Sequence, residues 1–313
     1  MNLQNCHLIV APLTPMNEVG EVDLNLLEDQ ADLLLSRGAQ GFYILGSTGE
    51  GMLLTHAERV AVAERWRAIL SPEIPLLVHV GHGSIEEARS LARHASQIEV
   101  SAISSVGPTH YTCSNLQTLV NWSASIAAAA PELPFFHYFL GSTPTTHPAR
   151  ASEYLAEAIK RIPTLGGIKY THEDLLDYGD CLRLAGSRYR VFYGKDEAML
   201  AALSLGAPAF VGGTYNLFSP LAVKILNAYQ SGDQHAARQA QETLQQCIGV
   251  LRRYGGLVAL KAAMSSLGIN LGQPRLPLRG LTDQNAVKLI AELEQVWPQM
   301  TGAAGGTVRL ISR

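Results

Sequence analysis

The chain is short of charge. Asp, Glu, Lys and Arg make up 16% of its 313 residues, against roughly 25% in ordinary soluble domains. The formal net charge is −3 and no basic run occurs, so the electrostatic footprint of a nucleic-acid binder is missing. No apolar run approaches the roughly 20 residues that span a bilayer, which leaves no membrane partner to expect. The opening "MNLQNCHLIVAPLTP" lacks a basic segment followed by a long apolar core. No signal peptide is read there, and a cytoplasmic location is expected. The four cysteines, Cys6, Cys113, Cys181 and Cys247, are scattered without a Cys-x-x-Cys pair and read as reduced thiols.

What is present is an alternation. Eight short apolar runs, "HLIVAPL", "GFYILG", "PLLVHVG", "SAISSVG", "PFFHYFL", "GGIKYT", "RVFYG" and "PAFVGGT", are separated by amphipathic stretches such as "THAERVAVAERWRAIL". Strands apolar on both faces and separated by helices imply a parallel sheet covered on both sides. Eight βα units in about 230 residues fit an α/β fold of the closed (β/α)8 TIM-barrel type. A doubly wound sheet would want Gly-x-Gly-x-x-Gly after the first strand, where "APLTPMNEVG" stands instead. Thr55 with Glu58, and Ser84 with Glu87, have the spacing of capping boxes at helix starts. After "SPLAVKILNAYQSG" only helical patterns follow. Residues 1–231 are therefore read as the barrel, 232–300 as a C-terminal helical extension of the same domain, and the Gly-rich 301–313 as a flexible tail.

In such a barrel the chemistry gathers at the C-terminal ends of the strands. The sixth strand candidate holds Lys169, one of only six lysines. Burying an ammonium costs several kcal/mol unless it is paired or gives up its proton. A lysine snorkelling from a strand end is the plain alternative. In a dry site the amine becomes a neutral nucleophile near pH 7, suited to condensing with a carbonyl. The iminium so formed is an electron sink that lets a neighbouring carbon–carbon bond break, with no metal and no cofactor. The second strand ends in "GSTGEG", where Ser47, Thr48 and successive N–H groups make a small anion cradle. It lacks the Gly-Lys-Ser/Thr ending of a triphosphate loop, so a carboxylate suits it better. Beside an imine-forming lysine, that points to a small-molecule 2-oxo acid. Tyr138, on the strand before the lysine strand, is placed to relay protons. His79 and His82 in "VHVGHG" have no Asp, Glu or Cys partners at ligand spacing, and a metal-dependent aldolase is the weaker alternative.

Together "GSTGEG", Tyr138, "GGIKY" and "VGGTYN" resemble the pyruvate-dependent class I aldolase family of dihydrodipicolinate synthase and N-acetylneuraminate lyase. The resemblance covers nearly the whole chain except its last dozen residues. Within the family the chain is most similar to the animal-type sialic acid lyases, through "AAAAPELPFFHY", "RIPTLGGIKYTHEDLLDYGDC", "YGKDE" and "GQPRLPL". The resemblance implies a Schiff base on Lys169, proton relay by Tyr138, and Ser47 and Thr48 on the pyruvoyl carboxylate. It also implies that Thr171, Gly194, Asp196 and Glu197 meet the sugar chain and that the protein is a homotetramer. Three positions depart from the pattern. Gly213 stands where lyases place a substrate-facing serine, Gly141 where a proline follows the tyrosine, and His110 where many relatives have a second tyrosine. The reaction implied is reversible cleavage of N-acetylneuraminate to pyruvate and N-acetylmannosamine. The alternatives are an aldolase or dehydratase for a 2-keto-3-deoxy sugar acid, and a catalytically silent keto-acid binder.

Overall fold

The computed structural model describes residues 3, 6–108, 110–141 and 149–302. Each of the eight apolar runs contains a strand: β1 (Leu8–Val10), β2 (Gly41–Ile44), β3 (Leu76–His79), β4 (Ala102–Ser105), β5 (Phe135–Leu140), β6 (Leu165–Thr171), β7 (Arg190–Tyr193) and β8 (Phe210–Gly212). They form a closed barrel in chain order, every neighbour parallel, with Leu8 opposite Phe210 across the closing seam. Helices α1 (Leu26–Ser36), α2 (His56–Ile69), α3 (Ile85–Gln97), α4 (Leu116–Ala127), α5 (Ala151–Arg161), α6 (Leu175–Ala185), α7 (Met199–Ser204) and α8 (Tyr215–Gln230) follow the strands in turn. This is the (β/α)8 barrel that the alternation implies.

The strands are apolar on both faces because each face meets a different core. Phe42 and Ile44 pack outward with the helices, while Ile9, Tyr43, Leu77, Phe136, Tyr138 and Phe192 fill the barrel interior. Period-two alternation sorts the residues between the two cores. At β6 that alternation is broken. Phe135 pairs with Leu165 but Phe136 pairs with Gly167, so one residue is extra. Leu165 and Ile168 both lie in the outer core although they are three apart. The bulge therefore reverses the parity of the strand, since a one-residue slip exchanges its faces. Without it Ile168 would point inward; with it Lys169 does.

Gly167 makes the bulge possible. Its φ is +149°, and a Cβ there would fall 1.7 Å from the Arg190 carbonyl oxygen. No rotamer change relieves a clash with backbone.

At the helix starts, Thr55 and Glu58 form the expected capping box: the Glu58 N–H donates to Thr55 Oγ1 (3.2 Å), and the Thr55 N–H to Glu58 Oε2 (2.8 Å). Ser84 and Glu87 do not. The Ser84 side chain makes no cap bond, its N–H donates instead to His82 Nδ1 (3.0 Å), and Glu87 turns to His56 Nδ1 at 2.6 Å. The nearby imidazoles outcompete the cap.

Beyond α8 come α9 (Gln234–Arg253), α10 (Leu257–Ala263) and α11 (Asp283–Val296). They grip the barrel through specific bonds. Gln241 Nε2 donates to the carbonyls of Asp196 (3.3 Å) and Glu197 (3.2 Å), and Arg37, just after α1, donates to the carbonyl of Met300 beyond α11 (3.0 Å). No helix of the described residues is long and apolar enough to cross a membrane. All four cysteines are free and buried. Of the expected tail, residues 303–313 lie outside the described residues.

Because β6 parity rests on Gly167, Gly167→Ala is expected to lower unfolding free energy by more than ~2 kcal/mol, the range of core overpacking combined with backbone strain. Denaturant unfolding of the variant checks this; a loss below roughly 0.5 kcal/mol, the size of a neutral surface change, would contradict it.

Candidate active site

Lys169 and Tyr138 are direct register partners on β6 and β5. Lys169 is 5% exposed. Its Nζ lies 3.8 Å from the centroid of the Tyr43 ring and 4.1 Å from that of Tyr138. Two effects compete there. Aromatic faces favour the ammonium by about 0.5–2 kcal/mol each, and the charge of Asp196 also favours it. Burial opposes both and wins: the amine falls from 10.5 to about 7. At 1.4 kcal/mol per pH unit, that is roughly 5 kcal/mol of net preference against the charged form. A sizeable fraction of Lys169 is then neutral amine at pH 7.

Tyr138 is buried, and burial raises its pKa; the Ser47 and Thr171 hydroxyls beside it draw the value back down, and Asp196 pushes it up. Its phenol thus stays protonated while facing two hydroxyls that can pass a proton on. Thr171 Oγ1 is itself buried beside the Tyr138 hydroxyl, without a hydrogen bond of ordinary geometry, and keeps capacity for a bound polar group. Gly194 packs against it, so closely that a Cβ would come 2.2 Å from Thr171 Oγ1.

Asp196 is held by Thr214, whose N–H (3.1 Å) and hydroxyl (2.6 Å) both donate to Oδ2. Oδ1 is buried and makes no hydrogen bond of ordinary geometry, although the Tyr215 hydroxyl also lies close to the carboxyl. Burial lifts the carboxyl from 3.8 to about 6, with the Thr214 bonds pulling the other way. Glycine at 212 is what admits this side chain, because a Cβ would fall 2.0 Å from Oδ1. Glu197 differs from the other candidates. It is paired with Lys195 at 3.2 Å and with Arg252 of α9, while Lys195 also holds Glu173 at 2.9 Å. Substrate hydroxyls would have to share it with two cations.

Ser47 and Thr48 sit on the turn after β2. Gly213 faces Thr48: a Cβ there would stand 2.6 Å from Thr48 Oγ1. A serine at 213 would therefore require Thr48 to move. Gly141 has a similar cause. Its missing Cβ would lie 1.9 Å from His172 Cδ2, so His172 occupies the space that a proline ring would need. His110 stands outside this group, exposed, with its ring 4.8 Å from that of Tyr111.

Eight of the nine candidate residues thus join one cluster at the C-terminal mouth of the barrel, and Glu197 lies at its edge. Tyr43 was not among them, yet its ring is the nearer of the two on Lys169 and its hydroxyl donates to Ser104 Oγ at 3.0 Å. Thr214 was missed as well. His79 is buried 6.2 Å from the Tyr138 ring, and burial together with the charges of Arg59 and Lys169 holds it neutral. His82 points to the Ser84 backbone. Among the described residues no group of three or more His, Cys, Asp or Glu side chains could hold a metal ion.

Asp196 is the one charge that favours the ammonium of Lys169. Asp196→Asn is expected to move the pH midpoint of Lys169 acylation by acetic anhydride downward by at least ~0.5 pH unit. A midpoint that stays or rises would count against the assigned coupling.

Comparison with known proteins places the chain in a family. The profile of the dihydrodipicolinate synthetase family matches residues 4–296. A mouse N-acetylneuraminate lyase is 34% identical over 294 residues, covering 92% of both chains, and its counterpart from Xenopus tropicalis is 36% identical over 279 residues, covering 87% of this chain and 90% of its own. The solved N-acetylneuraminate lyase (sialic acid aldolase) of Aliivibrio salmonicida superposes with a TM-score of 0.90 at 34% identity, over 95% of this chain and 98% of that one. The chain belongs to the dihydrodipicolinate synthetase family.

Proposed function

We propose that the protein is a Schiff-base lyase that reversibly cleaves N-acetylneuraminate to pyruvate and N-acetylmannosamine. The observation that carries this reading is the buried Lys169 amine, brought to about pH 7 beside a hydroxyl-rich turn suited to a carboxylate. The relatives named N-acetylneuraminate lyase support the choice of sugar.

In the cleavage direction, Ser47 and Thr48 hold the substrate carboxylate, which brings the C2 ketone to Lys169. The neutral amine adds to C2, and Tyr138 supplies the proton with which the carbinolamine oxygen leaves as water. The iminium then accepts the C3–C4 electron pair. As that bond breaks, the C4 hydroxyl proton passes to the Tyr138 phenolate, assisted by the substrate carboxylate, and C4 becomes the aldehyde carbon of N-acetylmannosamine. The enamine left on Lys169 takes that proton from Tyr138 at C3, and the proton released on hydrolysis of the imine restores the phenol. Water then hydrolyses the resulting imine, releasing pyruvate and restoring the amine. Thr171 Oγ1 and Asp196 Oδ1, both buried without a hydrogen bond of ordinary geometry, take the polar groups of the sugar chain. The imine itself is the electron sink, so the reaction uses no metal and no cofactor. We place the protein in the cytoplasm as a homotetramer, with barrel and helical extension as one domain.

Gly213 favours a second reading. Without the serine hydroxyl, the sugar side of the site has one donor fewer, which suits a shorter 2-keto-3-deoxy sugar acid.

Incubation with N-acetylneuraminate and borohydride, followed by intact mass and peptide mapping, is expected to give a pyruvate-sized adduct on Lys169. Lys169→Ala is expected to lose the adduct and at least ~10³-fold in turnover, the scale of removing a covalent nucleophile. A whole-sugar adduct would assign the enzyme to another sugar acid. No adduct from either N-acetylneuraminate or pyruvate would refute imine chemistry.

A further inference from the structure

The turn that carries Ser47 and Thr48 does not hold its shape unaided. It runs from Leu45 to Gly51 and contains two non-glycine residues in the left-handed region, Leu45 at φ 61° and Glu50 at φ 54°. Such residues persist only where their surroundings over-determine them. Within the turn, the Glu50 N–H donates to the Ser47 carbonyl (3.2 Å) and the Gly51 N–H to the Gly46 carbonyl (3.1 Å). Thr14 Oγ1 donates to the Gly49 carbonyl at 2.6 Å. The strongest tie comes from far along the chain. Glu50 Oε1 accepts from Lys261 Nζ of α10 at 2.6 Å, with both side chains wholly buried. Glu50 Oε2 accepts the Arg275 N–H at 2.7 Å. The Arg275 guanidinium is itself fixed by two 2.7 Å bonds to Glu58 and one of 3.1 Å to the Leu53 carbonyl.

A buried ion pair is a poor way to gain stability, because desolvation consumes most of the Coulomb attraction, and well-packed apolar residues often serve as well. What a buried pair does supply is a unique arrangement, since any displacement leaves a charge unpaired in a dry site. Glu50 is three residues from Ser47 and two from Thr48, on the same strained turn. We propose that Lys261 and Glu50 are positioning residues for the keto-acid carboxylate: the C-terminal extension reaches through Lys261 to lock the turn that presents Ser47 and Thr48. This rests on the assignment of those two hydroxyls to the carboxylate. It gives the extension a task in substrate binding that the eight βα units cannot perform alone.

Lys261→Met in the full-length protein tests it by two separate readouts. Amide hydrogen exchange at Glu50 and Gly51 reports the turn without reference to any reaction. The pyruvate concentration giving half-maximal borohydride trapping on Lys169 reports binding, and the maximal trapping rate reports the chemistry. The expected result is exchange at both amides faster by at least ~10-fold, with half-saturation raised at least ~10-fold and the maximal rate within ~3-fold. Adding Glu50→Gln removes the orphaned charge without rebuilding the pair, so exchange and half-saturation are expected to stay at least ~3-fold above the parent; near-parental values of both would assign the single variant's defect to the orphaned charge and overturn the lock. Unchanged exchange would overturn the proposal, as would faster exchange with unchanged half-saturation. A proportionate fall in maximal rate and affinity would also overturn it, as the mark of general damage. Should Lys261→Met fail to fold, the double variant is read by itself: faster exchange at the turn's amides with half-saturation raised at least ~3-fold supports the proposal, and near-parental values of both, or raised half-saturation with the amides still protected, overturn it. If the parent protein traps no pyruvate at all, the aldolase reading falls, and exchange at Glu50 and Gly51 decides the lock separately.

Discussion

The proposed chemistry depends on one unfavourable act, the burial of a lysine amine inside a closed barrel. The surroundings of Lys169 are largely aromatic: two tyrosine rings lie on its Nζ, and Phe136 and Phe192 stack at 4.8 Å among the residues that fill the same core. Aromatic faces and one carboxylate soften the penalty without cancelling it, so the amine gives up its proton near neutrality. A lysine on a barrel's outer surface would remain an ammonium and could not attack a carbonyl. The fold therefore tolerates a destabilised residue, and the barrel around it must be stable enough to bear that.

Two loops have to meet this amine, and both are held from outside the barrel. Gln241 on α9 bonds to the carbonyls of Asp196 and Glu197, and Lys261 on α10 bonds to Glu50 beside Ser47 and Thr48. The β6 bulge provides the third constraint, since it turns Lys169 rather than Ile168 inward. Strands fix directions, and distant helices fix the loops at their ends. The C-terminal extension thus belongs to the active site mechanically, although its described side chains reach it mainly through second partners.

The sequence made the barrel legible because eight apolar runs of strand length alternate with helical periodicity, and each needs two covered faces. Lys169 stood out for a related reason: lysine is scarce here, and an apolar run is the wrong place for it. Other features were hidden by their nature. In a run such as "GFYI" both faces are apolar, so nothing local says whether Phe42 or Tyr43 looks inward, and Tyr43 was passed over. The Ser84 spacing was right for a cap, but the bond was lost to imidazoles whose positions only the fold defines. Glu50 and Lys261 are 211 residues apart, beyond the reach of any periodicity. Gly141 and Gly213 looked like departures from a pattern; in the structure each is the counterpart of a neighbouring side chain, His172 in one case and Thr48 in the other.

The most direct test of this account is the titration of Lys169 itself. With only six lysines, protein labelled with ¹³C and ¹⁵N lysine gives a side-chain spectrum simple enough to assign, using Lys169→Ala to identify the resonance. The account requires Lys169 to titrate with a midpoint near 7, well below the roughly 10.4 of an unperturbed lysine. A midpoint near 10 would mean that the ammonium is stable in the barrel, and that the burial on which the chemistry depends does not act as described.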